Sequence, residues 1–294
     1  GGFAYFGPWT SPGMVVKVRL SDFTRVGAIT LNSGENNLWS AVIDASGGFA
    51  YFGPWTSPGM VVKVRLSDFS RVGVLTLNTG EGDLRSAVID AAGGFAYFGT
   101  GTYAGIVVKV RLSDFSRVGA LELNSGEISL CSAVIDAAGG FAYFGTDTLP
   151  GKVVKVRLSD LTRIGALTMN SGENNLCSAV IDAANGFAYF GTDTYLGKVV
   201  KVRLSDLSCV GVLTLNPGEM GLRSAVIDAA GGFAYFGTYI SYSDGYETRS
   251  KVVKVRLSDF SRVGALTLSL GEEELRSAVI DAAGGFAYFG TDTL

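Results

Sequence analysis

Histidine is absent from all 294 residues. That removes the commonest general base, the commonest metal ligand and the usual charge switch near neutral pH together. Cysteine is scarce, with only Cys131, Cys177 and Cys209. The count is odd and the spacing fits neither a disulfide framework nor a zinc site, so three free thiols are expected. A Cys131–Cys177 bridge would need Cα atoms within about 4.4–6.8 Å, which is tight for neighbouring repeats. A charge excess is lacking too: the net charge is −3, without the basic stripe that nucleic acid demands. No stretch of about 18 uncharged apolar residues occurs, so no membrane-spanning segment is expected. N-x-Ser/Thr sequons are absent, the sequence does not begin with Met, and no signal peptide is expected at its start. The first residue falls in mid-repeat, which reads as a processed chain or a window on a longer one.

Proline is also low, at 6, whereas glycine reaches 41, as many tight turns between short strands require. Apolar residues make up 47% and charged residues 17%, a globular balance with too little charge for disorder. The dominant feature is repetition. The phrase FAYFG begins at Phe3, Phe49, Phe95, Phe141, Phe187, Phe233 and Phe286, spaced 46 residues apart five times and then 53.

One unit, residues 38–83, contains four runs of about 5–8 residues with strand composition. LWSAVIDA leads through a Gly-Gly turn to FAYFG. After a variable segment comes VVKVRL, where Val62, Val64 and Leu66 alternate with Lys63 and Arg65, and a Ser-Asp turn opens RVGVLTLN. No 10-residue stretch carries helical periodicity. Four strands per 46 residues, repeated, predict an all-β β-propeller of four-stranded antiparallel blades. The expected count is six full repeats plus a partial seventh, within a larger propeller if the chain extends. A single array over 1–294 is expected, with repeats starting at 1, 47, 93, 139, 185, 231 and 284. A β-solenoid is the competing architecture.

In register, the repeat resembles the YVTN family of β-propeller repeats. FAYFGT stands at the Tyr-Val-Thr-Asn phrase, VVKVRLSD at the Val-Ser-Val-Ile-Asp strand, and VGALTLNSGE at the Ala-Thr-Ile-Pro-Val-Gly segment. The resemblance is one of pattern and covers the whole chain, but the family's SPDG turn is missing and the period is longer. It implies a surface or exported protein of prokaryotic type, outside the cytoplasm.

Comparing the copies within the chain locates the variation. IDAAGGFAYFG and VVKVRLSDF-S/T-RVG hardly change. The segment between the second and third strands does, from PWTSPGM to TYISYSDGYETRSK, as does the link from each fourth strand to the next first strand. Connections alternate between the ends of an antiparallel blade, so both variable loops are expected on one face, where repeat proteins place their binding residues. That face would carry Trp9, Trp39, Trp55, Tyr103, Tyr195, Tyr239, Tyr242, Tyr246 and Arg249 as candidate partner-binding residues, since aromatics and Arg dominate interface hot spots. The alternative is that these side chains cover blade ends or drifted after duplication.

Glu35, Glu81, Glu127, Glu173, Glu219 and Glu272 recur in the closing turn and are read as turn-stabilising carboxylates, because no calcium-loop pattern surrounds them. Lys17 and Arg19, with their copies, are read as pairing with Asp22 and Asp44; the alternative role for Asp44 is to tie down the following Gly-Gly turn. No nucleophile–base pair, phosphate loop or metal cluster stands out, so no catalytic residue, metal or cofactor is expected. The leading functional reading is a non-enzymatic scaffold recognising a protein or glycan partner. The second is a self-associating structural subunit, since residues 1–27 and 47–73 differ only at Thr24/Ser70. A quinoprotein- or lactonase-type enzyme is the third.

Overall fold

The computed structural model describes residues 2–239 and 249–292. Among these residues there are strands and turns and no helix. A first, three-stranded sheet is built from β1 (Phe3–Phe6), β2 (Met14–Arg19) and β3 (Thr24–Thr30). The next sheet has four strands: β4 (Leu38–Asp44), β5 (Phe49–Pro54), β6 (Met60–Arg65) and β7 (Ser70–Thr76). The same plan follows in β8 (Leu84–Asp90), β9 (Phe95–Thr100), β10 (Ile106–Arg111) and β11 (Ser116–Glu122). It recurs in β12 (Leu130–Asp136), β13 (Phe141–Thr146), β14 (Lys152–Arg157) and β15 (Thr162–Thr168), and in β16 (Leu176–Asp182), β17 (Phe187–Thr192), β18 (Lys198–Arg203) and β19 (Ser208–Thr214). The last four-stranded sheet comprises β20 (Leu222–Asp228), β21 (Phe233–Thr238), β22 (Lys251–Arg256) and β23 (Ser261–Thr267), and β24 (Ser277–Asp281) pairs with β25 (Phe286–Gly290). FAYFG is therefore the second strand of each four-stranded sheet, as the turn pattern predicts, and the first of the three-stranded sheet.

The chain forms two compact units. One holds Gly1–Phe144 with Lys155–Ile164; the other holds Gly145–Val154 with Gly165–Leu294. In the first unit, Tyr51, Val61 and Leu77 of one sheet pack on Phe98, Val108 and Val110 of the next. The opposite face of the first of these sheets, through Phe52, Val62 and Val64, packs on Val15 and Leu31. Consecutive residues point to opposite faces of a strand. Val61 and Val62 are both fully buried, so both faces of β6 are covered. That is why VVKV is nearly continuously apolar. The second unit repeats the packing with Tyr189, Val199 and Leu215 against Phe236, Val253 and Val255. Each buried aromatic or aliphatic side chain contributes about 1.5–3 kcal/mol over leaving it exposed.

Turn chemistry explains the invariant phrases. Asp44 Oδ1 accepts the Gly47 N–H at 2.7 Å, and Gly48 takes a φ of 78°, which glycine adopts without a Cβ clash. Asp44 thus ties down the Gly-Gly turn. The Ser-Asp turn is held by Asp68, which accepts from Ser70 Oγ at 2.7 Å and from Arg65 Nη1 at 3.0 Å. The arginine of VVKVRL pairs with this aspartate as expected, but the lysine does not. Lys63 is buried with Nζ 4.0 Å from the centre of the Phe49 ring, and burial lowers its pKa. Lys109 sits the same way over Phe95 at 4.2 Å and donates to the Leu158 carbonyl at 2.7 Å. Cation–π contact and a carbonyl acceptor replace a carboxylate there.

Candidate aromatic docking site

The two variable loops of each blade meet through backbone hydrogen bonds. The Asn37 N–H donates to the Thr10 carbonyl at 2.9 Å, and the Asn37 carbonyl accepts from the Trp55 N–H at 2.9 Å. One residue of the β3–β4 link therefore bridges the β1–β2 loop to the β5–β6 loop. Asn37 does this with a φ of 56°, a conformation asparagine tolerates better than most residues. The expected common face for the two loops is present.

This bridge brings three tryptophans of the first unit together. Trp9 and Trp55 have ring centres 4.9 Å apart, Trp9 and Trp39 5.1 Å, and Trp39 and Trp55 6.2 Å. The Trp9–Trp39 contact is edge-to-face, at 76°, a geometry favoured by the ring quadrupoles. Arg85 extends the cluster, its guanidinium carbon 5.3 Å from the centre of the Trp39 ring. Arg85 also donates from Nη1 to Ser129 Oγ at 3.0 Å. Gly101 gives the arginine room, because a Cβ there would lie 2.6 Å from Arg85 Nε. The three tryptophans remain 41%, 37% and 42% exposed in spite of their mutual packing.

The same two positions alternate in the second unit with different chemistry. Arg223 donates to Asp193 at 2.8 Å and stacks 3.8 Å from the Tyr239 ring centre. Arg276 follows, 4.8 Å from the same ring, donating to Tyr239 Oη at 3.2 Å and pairing with Asp292 at 2.6 Å. Burial opposes the charge on Arg223, but Asp193 outweighs it and the arginine pKa is raised. Both cations are thus neutralised by carboxylates of this chain. The matching positions carry exposed apolar surface in the first unit and a self-satisfied ionic network in the second.

Of the candidate residues, Trp9, Trp39 and Trp55 are brought together. Tyr103 is 95% exposed on the β9–β10 loop and makes no ring contact with the cluster. Tyr195 is exposed, Tyr239 belongs to the arginine network, and Arg249 is exposed. Tyr242 and Tyr246 lie outside the described residues. Sequence reasoning missed Arg85, although it falls in the same variable slot as Trp39.

The turn carboxylates do more than expected. Glu35 accepts the Asn32 N–H at 3.0 Å within its turn and also receives both Nε and Nη2 of Arg71 from the outer strand of the next sheet. Arg117 binds Glu81, Arg163 binds Glu127 and Arg262 binds Glu219 in the same way. Burial pushes the Glu219 carboxyl up, but Arg262 and the Asn216 N–H together hold it below the usual range. The three cysteines are free thiols. Among the described residues no group of three or more Cys, Asp or Glu is placed to hold a metal, and no helix is long and apolar enough to cross a membrane.

Solved structures share this architecture. One described as the structure of U3-55K aligns over 99% of this chain and 85% of its own, with a TM-score of 0.76 and 10% identity. Another, a crystal structure of RRP9 WD40 repeats, aligns over 99% and 84%, with a TM-score of 0.74 and 10% identity. At that identity the likeness shows the fold alone, an all-β β-propeller. No protein-family model and no curated protein matches the sequence, so the YVTN resemblance stays a resemblance of pattern.

Proposed function

We propose that this β-propeller is a non-enzymatic scaffold that docks a protein partner on the Trp9–Trp39–Trp55 cluster. The observation that carries the reading is that three tryptophans stack on one another yet each keeps more than a third of its surface in water. Large aromatic side chains held rigid by their neighbours bury much area at little entropic cost, which is what interface hot spots require. Arg85 at the edge of the cluster adds a cation beside the apolar patch. The ionic positions of the second unit offer less, because their charges are already paired. The fold shared with WD40-repeat structures agrees with a scaffold role without assigning one.

The test is quantitative capture of partners from the producing cells by the wild-type chain and by a Trp9→Ala/Trp55→Ala variant of unchanged circular dichroism. A specific partner should be depleted at least about tenfold on the variant, since a hot-spot residue carries about 2 kcal/mol or more. An unchanged set of captured proteins would refute the docking site. Capture of nothing except further copies of this chain would favour the self-associating reading instead.

A further inference from the structure

Four sheet junctions share one arrangement: a carboxylate of the closing turn grips an arginine of the next outer strand. In each, arginine Nε and Nη2 meet the two carboxylate oxygens, the bidentate geometry that guanidinium and carboxylate share. The arginine side chains stay 22–26% exposed while their glutamates are almost fully covered, so each grip opens to solvent on the arginine side.

One junction, inside the second unit, breaks the pattern. Its carboxylate is Glu173, in the β15–β16 turn, and Cys209 in β19 stands where the other sheets have Arg71, Arg117, Arg163 and Arg262. Glu173 is only 6% exposed. Oε2 accepts the Asn170 N–H at 3.0 Å, as in the other turns, but no cation pairs with Glu173 among the described residues. A buried carboxylate lacking the charge partner that its four counterparts have is a costly arrangement. Cys209 does not compensate. Its Sγ lies 3.7 Å from the Gly211 carbonyl, and burial, with the nearby Glu173 charge, pushes the thiol pKa up, keeping it neutral. Lys198 stands close to the same turn, its Nζ 3.3 Å from where a Cβ of Gly172 would be. The matching lysine of the next junction, Lys251, acts on Glu219 alongside Arg262, so a lysine here accompanies a guanidinium and does not replace it.

We propose that the Glu173–Cys209 junction is a binding socket for an external guanidinium group. Cysteine is shorter than arginine by the guanidinium and the methylene before it, so the chain itself supplies the carboxylate but not the guanidinium. The same chemistry is offered by an arginine side chain of a partner and by a small guanidinium compound. A lysine ammonium fits less well, because it cannot bridge both carboxylate oxygens in one plane. The socket does not depend on the tryptophan cluster, and the two stand or fall separately.

The experiment measures the thermal midpoint and the Asn170 amide shift as guanidinium chloride is added at millimolar levels, with sodium chloride and urea as matched controls. N-acetylarginine amide is titrated in parallel to represent a peptide arginine. The wild-type chain should show a saturable rise in midpoint and a saturable shift. Cys209→Arg, which fills the socket, and Glu173→Gln, which removes its charge at constant shape, should each bind at least tenfold more weakly. Binding of the ion but not of the arginine amide assigns the socket to small compounds; binding of both admits a partner's side chain. Should Cys209→Arg fail to fold, Glu173→Gln carries the comparison. Equal responses in all three proteins, or no saturable response in the wild type, would overturn the proposal.

Discussion

Replacing Gly99 by alanine should unfold the protein at lower denaturant, whereas the same change at Gly119 should not. Both glycines lie in strands of one sheet, so local propensity is nearly matched. A Cβ on Gly99 would sit 2.4 Å from Ser86 Oγ and 2.8 Å from Leu130 Cβ, whereas one on Gly119 would meet nothing within 4 Å. Ser86 Oγ can rotate, though it would give up its 2.7 Å hydrogen bond to the Leu130 carbonyl. Leu130 Cβ is fixed to the backbone of β12 and cannot turn away, so the two sheets must separate. Overpacking of this kind costs about 1–3 kcal/mol. At Gly119 alanine should stabilise by about 0.4–1 kcal/mol, because it narrows the unfolded ensemble. Urea unfolding at constant m reads the difference as a shift in midpoint. Adding Ser86→Ala to Gly99→Ala should recover only part of the loss, since the Leu130 contact remains. Equal midpoints for Gly99→Ala and Gly119→Ala would refute the close sheet-to-sheet approach on which the packing rests.

Tyr51, Tyr97, Tyr143 and Tyr189 are buried, and burial together with Asp44, Asp90, Asp136 and Asp182 respectively pushes their hydroxyls up to about 12. The folded state binds these protons more tightly than the unfolded chain, so their contribution is complete below the free tyrosine pKa of about 10 and is lost as pH rises toward 12. A spectrophotometric titration should show this group ionising late or only with unfolding; ionisation of all tyrosines together near the free value would contradict the burial. Arg117→Ala should destabilise by about 1.5–3 kcal/mol, because it leaves Glu81 covered and without its cation. Arg111→Ala removes an exposed Arg–Asp pair and should leave the thermal midpoint nearly unchanged; equal losses in the two variants would contradict this ranking.

What the sequence made legible was local. The four strands and the Asp44 turn follow from alternation and turn chemistry within one repeat, and the common face of the variable loops follows from chain reversal. What it hid was the choice among identical partners. Glu35 lies 10 residues from Arg25 and 36 from Arg71, both in the same phrase, and only the packing of successive sheets selects Arg71. The alternation of Lys63 with Val62 and Val64 suggests a cation paired with an aspartate, yet both faces of β6 are buried, so the lysine lies over Phe49. The tryptophans were visible as exposed aromatics, but their stacking depends on Asn37 bonding two loops that are 45 residues apart at Thr10 and Trp55. The arginine network around Tyr239 was illegible for the same reason: Asp193 follows β17, Arg223 lies in β20 and Arg276 in the β23–β24 link, and only the packing of successive sheets brings them together.

Site-specific photo-crosslinking tests the docking claim most directly. A photoreactive phenylalanine would replace Trp55 in one preparation and Asp68, on the opposite end of the same sheet, in another. With the partner present, adducts should form from position 55 and not from position 68. Adducts from position 68 alone, or in equal yield from both, would contradict the account.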